Sequence, residues 1–212
     1  MRRGLMLAWL VAGAGCTIDP GAAQQTLIQA DMRLLQKDYR GAVGLYDQAL
    51  VTDPTLREAY LHRGVAYRGN GNFDRALVDL DKAIDLEPRD ARAYAERART
   101  RLEQLAAEAK GDKVKLAAAF APDDPLGVAA DLERAVTLDG LGMDGAALLL
   151  HGAVRIMQNR DDDAKQDFER FLRRRSKLRP DLEMAIERWK KDRPVLDLGS
   201  VDELSRYRPS KG

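Results

Sequence analysis

Residues 57–88 read REAYLHRGVAYRGNGNFDRALVDLDKAIDLEP, and their spacing decides the fold. Tyr60, Gly64 and Tyr67 recur at intervals of four and three, which sets them on one face of a helix. Gly69-Asn70-Gly71-Asn72 then breaks that helix. A second helical pattern follows in Phe73, Ala76, Leu77, Leu80, Ala83 and Ile84. It stops at Glu87-Pro88, because proline disfavours helical geometry in the residue before it. The unit is therefore a helix pair. Its small residues Gly64, Ala76 and Ala83 let the two axes approach closely, and Tyr60, Tyr67, Phe73 and Leu80 are expected to fill the space around that contact. The pattern returns with a period of 34: Ala42 with Ala76, Tyr46 with Leu80, Ala49 with Ala83 and Pro54 with Pro88, then Tyr60 with Tyr94, Arg63 with Arg97 and Gly64 with Ala98.

These residues resemble the tetratricopeptide repeat family. Tyr60-Leu61-His62-Arg63-Gly64-Val65-Ala66-Tyr67, followed by Gly71, Phe73, Ala76, Leu80, Ala83 and Pro88, follows its consensus nearly throughout. A first unit, about 24–56, fits through Tyr39, Ala42, Tyr46, Ala49 and Pro54 but departs in its first helix, where Gln29 and Arg33 fall at expected core positions. A third unit, 91–142, stays in register to Ala98, after which its second helix comes late, as Val128, Leu132 and Ala135. Leu80 and Leu132 are 52 apart, which places an insertion of 18 residues within 102–125. Its segments 105–109 and 114–120 are rich in helix formers and predict a lengthened helix plus a short extra one, with Pro122-Asp123-Asp124-Pro125 opening the next. A fourth unit, 145–178, reads Leu148, His151, Gly152 and Arg155, then Ala164, Phe168 and Phe171. Residues 180–191 are amphipathic through Leu182, Ala185, Ile186 and Trp189 and resemble the helix that covers the last repeat in this family. The expected architecture is all-α: a right-handed α-solenoid of four helix pairs plus a C-terminal capping helix, over residues 24–191. Residues 192–212, with Pro194, Pro209 and three of the four serines, read as an extended or disordered tail.

Composition agrees with helices. Of the 212 residues 45% are hydrophobic and only 6% aromatic, which disfavours a large all-β fold. With 35 basic against 34 acidic side chains there is no whole-molecule field to attract nucleic acid or an anionic surface. The chain starts with Met1-Arg2-Arg3, an apolar run over residues 5–12, and small residues Gly13-Ala14-Gly15 before Cys16. This reads as an export signal over 1–15, too short to span a bilayer. Small residues before the single cysteine resemble the lipobox of bacterial lipoproteins, whose cysteine is acylated, with Gly13 standing where that family has a larger apolar residue. A linker, 16–23, would then lead to the repeats. Ordinary cleavage after Ala14 is the alternative, leaving a soluble exported chain. Thr17 after the cysteine, rather than the Asp that often retains such lipoproteins at the inner membrane, points to the outer membrane.

Chemistry has few candidates. One cysteine and two histidines, His62 and His151, cannot complete a Cys/His zinc site, and the four serines all lie at or beyond the end of the repeats. The histidines read as packing or surface residues. Gly140-Leu141-Gly142-Met143-Asp144-Gly145 spells a dinucleotide turn, but it follows a helical repeat rather than a strand, so its glycines are expected to end one helix and begin another. Asp161-Asp162-Asp163 reads as a helix start, where negative charge meets the positive end of the dipole. Asp79, Asp81, Asp85 and Glu87 read as a solvated face. The run Arg173-Arg174-Arg175-Ser176-Lys177-Leu178-Arg179 suits a helix C-terminus or, alternatively, anionic headgroups or an acidic partner. No catalytic residue, metal site or cofactor is expected.

The resemblance implies a concave side lined by the first helix of each pair. The residues left over by the packing stripe are Glu58, Leu61, Val65 and Arg68, then Arg92, Ala95 and Arg99, then Ala146, Leu149, Ala153 and Ile156. Apolar patches with scattered arginines suit an amphipathic helix or extended peptide. Leu149 and Ile156 could instead cover the insertion or the tail. The expectation is a non-enzymatic adaptor of the bacterial cell envelope, lipid-anchored on its periplasmic side through Cys16, binding another protein in this groove and no nucleic acid. The alternative is a soluble periplasmic module that binds a small apolar ligand under the 102–125 insertion.

Overall fold

Helix ends follow from local chemistry. The Asp38 carboxylate accepts the Gly41 amide at 3.0 Å and starts one helix, and Asp90 accepts the Arg92 amide at 3.0 Å and starts another. Within three of the pairs the turn needs one residue with positive φ, two positions before the second helix. Lys37, Gly71 and Asn159 hold that position at φ 60°, 76° and 60°. Glycine meets the requirement freely and asparagine tolerates it, whereas Lys37 does so at a cost of about 1 kcal/mol.

The computed structural model describes residues 20–112, 120, 127–138, 145–173, 175–193 and 195–206. Ten α-helices are found among them, and none of these residues is in a strand: α1 (Pro20–Leu35), α2 (Tyr39–Thr52), α3 (Arg57–Gly69), α4 (Phe73–Leu86), α5 (Ala91–Ala109), α6 (Val128–Leu138), α7 (Ala146–Met157), α8 (Asp161–Leu172), α9 (Arg179–Asp192) and α10 (Leu198–Arg206), with a 3-10 turn at Ser176–Leu178 before α9. Helices pair as α1/α2, α3/α4, α5/α6 and α7/α8, and each second helix packs on the first helix of the next pair. This is an α-solenoid of helix pairs. The buried side chains accordingly form separate clusters along the stack, Leu27, Ala42 and Tyr46 in one, Leu61, Leu80 and Ala83 in another. Within two of the pairs the crossing of the helices depends on glycine: a Cβ on Gly64 would lie 2.9 Å from Leu80 Cγ, and one on Gly152 would lie 2.3 Å from the Phe168 ring.

Several expectations change. α1 begins at Pro20 rather than 24, and its core face is Ala23, Leu27 and Ala30, while Gln29 and Arg33 are exposed. One period of 34 maps Leu27 onto Leu61 and Ala30 onto Gly64, whereas Gln29 and Arg33 map onto Arg63 and Tyr67, which are only half-buried in α3. Unit one is thus regular, and the core stripe is shifted from the aromatic positions. Tyr60, Tyr67 and Phe73 are likewise half-buried, leaving Leu80 to fill the centre of unit two. The first part of the insertion does lengthen a helix, α5, which runs to Ala109; the second part, 113–119 and 121–126, lies outside the described residues. The tail is not extended throughout, since Leu198–Arg206 is helical with Val201 and Leu204 buried.

Asp79 is the largest correction. It faces inward from α4, its side chain 6% exposed, and accepts two bonds from Arg63 of α3, at 2.8 Å from Nε and 2.7 Å from Nη2. The third guanidinium nitrogen reaches Asp47 of α2 at 2.5 Å. Arg97 repeats this, bonding Asp131 of α6 through Nε (2.8 Å) and Nη2 (2.5 Å) and Asp81 of α4 through Nη1 (2.6 Å). Arg155 of α7 bonds Asp167 of α8 at 2.7 Å. The Asp131 and Asp167 side chains are 6% and 3% exposed. Burial pushes the Asp79 carboxyl above its ordinary value, with the Arg63 bonds pulling the other way, so desolvation is a real cost of the arrangement. Unit one lacks both partners together: Gln29 stands at the arginine position and Leu45 at the aspartate position. Asp79→Leu alone is expected to cost about 3 kcal/mol, because it leaves a charged Arg63 half-buried. Adding Arg63→Gln, which copies unit one, should recover at least half of that loss in urea unfolding of the full chain; a double variant no better than the single one would refute the coupling.

Candidate partner-binding surface

The first helices form one layer. α1 touches α3 and α3 touches α5, although a second helix intervenes in sequence each time. On a curved stack, the layer whose non-successive helices come closest is the inner one. Arg68 of α3 crosses this layer to Glu96 (2.7 Å) and Glu103 (2.6 Å) of α5. Near the start of the stack Asp31 of α1 accepts the Tyr46 hydroxyl at 2.7 Å and lies 2.7 Å from His62 Nδ1. Burial and the Asp31 bond raise the Tyr46 hydroxyl far above its usual range, so it stays a donor. His62 therefore has a carboxylate companion, contributed by the preceding unit, and it serves packing between α1, α2 and α3.

Between α5 and α7 the layer is bridged by the C-terminal helix. α9 and α10 both pack on α7. Val201 and Leu204 of α10 are buried, 3% and 6% exposed, in a cluster that contains Leu149, Ala153 and Ile156 of α7 and Leu182, Ala185 and Trp189 of α9. Asp202, between the two anchors, accepts Arg99 Nη2 at 2.5 Å, and Glu103 accepts Arg99 Nε at 2.9 Å. Burial works against the Arg99 charge, but the Asp202 and Glu103 bonds outweigh it and hold the guanidinium well above its usual value.

These positions sort the expected groove residues. Leu61 is buried in the cluster of α3, α4 and α5, and Ala95 is buried in the next. Leu149, Ala153 and Ile156 are essentially unexposed, so they are core rather than open groove; they cover the tail, which was the other reading of Leu149 and Ile156. Arg68 and Arg99 are in the layer but already bonded to carboxylates. Of the expected groove residues on α3 and α5, Glu58, which pairs with Arg57, half-exposed Val65 and Arg92, which lies 3.2 Å from Asp90, are the ones that reach solvent. Sequence reasoning missed the α10 contribution, yet a signal existed. The stretch AALLLHGAVRIM in α7 is apolar nearly all round, and a helix of that kind is covered on more than one side.

The remaining candidates are placed as follows. Cys16 and the 140–144 part of the glycine motif lie outside the described residues; Gly145, at φ 80°, starts α7. Asp161-Asp162-Asp163 forms the first turn of α8. His151 is buried with its Nδ1 3.2 Å from Asp167. In the basic run, the Arg175 guanidinium lies 5.0 Å from the Phe171 ring centre and Arg179 bonds Glu169 at 2.9 and 3.0 Å, which lowers the Glu169 carboxyl below its usual value. Leu102 and Phe120 of the insertion are packed in the main cluster. Among the described residues no group of three or more His, Cys, Asp and Glu side chains could hold a metal, and no helix is long and apolar enough to cross a membrane.

The tetratricopeptide repeat family matches at residues 58–90 and 146–177. The chain is 36% identical to tetratricopeptide repeat protein 36 of Mus musculus over 133 residues, 61% of this chain and 60% of that one. It is 34% identical to the protein SGT1 homolog of Oryza sativa subsp. japonica over 73 residues, 34% of this chain and 20% of that one. The chain thus spans less than two thirds of either relative. A thermophilic TPR protein of Thermus thermophilus shares the fold, with a TM-score of 0.59 at 16% identity over 86% of this chain and 97% of that one. Tetratricopeptide repeat proteins act as protein–protein interaction scaffolds.

Because Leu149 is core, Leu149→Glu is expected to lower the melting temperature by about 10 °C, as a buried unpaired charge costs several kcal/mol. Arg92→Glu, on the exposed section, should shift it by about 2 °C at most. Thermal unfolding followed by circular dichroism compares the two; equal shifts would contradict this division of the surface.

Proposed function

We propose that this chain, built on tetratricopeptide repeats, is a non-enzymatic adaptor of the bacterial cell envelope that holds a partner helix or peptide along its inner face. The observation that carries the reading is the seating of α10. The inner side already accepts an amphipathic helix through apolar anchors and one arginine, which is the recognition expected of such a surface. Beside it, the α3 and α5 section with Glu58, Val65 and Arg92 is open to a further length of partner chain. An open section with one aliphatic side chain, Val65, between the charged Glu58 and Arg92 favours a polypeptide over a small apolar ligand.

Export and anchoring rest on the N-terminal residues: the Arg2-Arg3 start, the short apolar run and Cys16 after small residues. Acylation of Cys16 would place the domain on the periplasmic side, with outer-membrane address suggested by Thr17. Because α1 begins at Pro20, the tether would be only a few residues long and would hold the repeats against the bilayer.

Two measurements test this. A fatty-acid probe supplied to cells should label the wild type and leave Cys16→Ala unlabelled; equal labelling of both removes the anchor. Envelope proteins captured by the wild type should be lost, by at least tenfold, with Val65→Glu/Arg92→Glu. An unchanged set captured by that folded variant would move binding off the inner face.

A further inference from the structure

We infer that the α5–α7 section of the inner face is a docking site for a short helix with an apolar–acid–x–apolar pattern, and that Val201-Asp202-Glu203-Leu204 of α10 is its internal occupant, which a partner helix must displace. The inference deepens the adaptor reading and rests on it.

The contacts define the ligand. Val201 and Leu204 are three residues apart, on one face of α10, and enter the α7 cluster; Asp202 meets Arg99, 103 residues away in sequence. A partner that reproduces two apolar residues at that spacing, with a carboxylate after the first, reproduces every one of these interactions. Arg99 supplies orientation, since a reversed helix would carry its acid away from the guanidinium.

α10 is also built to leave. It has nine residues, and isolated helices shorter than roughly 12–15 residues are marginal in water, so its helicity depends on the site. Its start is held by local bonds, the Gly199 and Ser200 amides donating to Asp197 at 3.0 and 3.3 Å, and by Trp189 Nε1 donating to Ser200 Oγ at 3.0 Å. On the α9 side the contact is bordered by an open cleft of about 290 Å³, with Leu178, Met184 and Ala185 on one wall and Ser200 and Leu204 on the other, so solvent reaches this edge of α10. Residues 193–197 join α9 to α10 in sequence. A connection this short gives an effective concentration in the millimolar range, so an external helix binds the closed form weakly and the open form well.

The test uses a fluorescent synthetic peptide of residues 195–206, VLDLGSVDELSR, as the probe, with the full-length chain. Fluorescence anisotropy should show it binding Val201→Ser/Leu204→Ser, in which α10 is released, at least tenfold more tightly than wild type. The same peptide carrying Asp202→Arg should bind the released chain at least tenfold more weakly, and Arg99→Asp in that chain should restore it. In case the released variant does not fold, unaltered wild type is titrated with heavy-leucine peptide, which should accelerate hydrogen exchange in residues 198–206 while α7 stays protected. Equal affinity for wild type and a folded released chain, no rescue by charge reversal, or unchanged exchange each overturns the inference. So does a dimer of the released chain in light scattering, which would make a second copy the occupant. The synthetic peptide needs no natural partner, so this result and the envelope capture can fail independently.

Discussion

The structure depends on an arginine from the first helix of a pair meeting a buried aspartate from the second. Arg63 with Asp79, Arg97 with Asp131 and Arg155 with Asp167 each set a long planar donor across the gap between two helices. Twice the remaining nitrogen reaches back to the preceding pair, at Asp47 and Asp81. The charges are expensive to bury, so the pair adds little net stability over apolar residues of the same shape. What it does is penalise every other arrangement. A slip of one turn between α3 and α4 would strand an unpaired carboxylate among apolar side chains, which costs more than the slip of any one alanine. Repeats made largely from alanine and leucine have many nearly equivalent ways to pack, and the arginine selects one.

The two ends of the stack are treated differently. At the C-terminal end α7 is wrapped by α8, α9 and α10, and its sequence is correspondingly apolar on all sides. At the N-terminal end α1 leaves Ile28, Met32 and Leu35 exposed. The closing of the C-terminal end also divides the inner face into an open section on α3 and α5 and one filled by the chain's own last described helix. Under the proposed adaptor reading, the side chains that hold α10 are the ones a competing helix would have to meet.

Helix pairs, their period and the small residues at the crossings are all legible in the order of the amino acids. The period of 34 in Ala42, Ala76, Tyr46 and Leu80 needs no tertiary information, because a helix that must bury one stripe against its neighbour writes that stripe into local spacing. Position within the stripe was less legible. Gln29 and Arg33 fall at expected core positions of the family's first helix, yet their equivalents one period on, Arg63 and Tyr67, are only half-buried in unit two as well. Asp79 read as solvated because a carboxylate in an amphipathic helix usually is; only its 16-residue separation from Arg63, closed by the fold, makes burial tolerable.

Tertiary structure alone decided the fate of the inner face. Leu149, Ala153 and Ile156 lie where repeat spacing puts groove residues, and nothing local distinguishes an apolar residue facing a partner from one facing the chain's own tail. The distinction lies in Arg99 and Asp202, whose attraction acts across 103 residues of sequence. Local spacing reports which face of a helix is apolar, because that is a property of a few consecutive residues. What covers that face is set by the path of the whole chain, which for α10 depends on a turn after α9 and on one long-range ion pair.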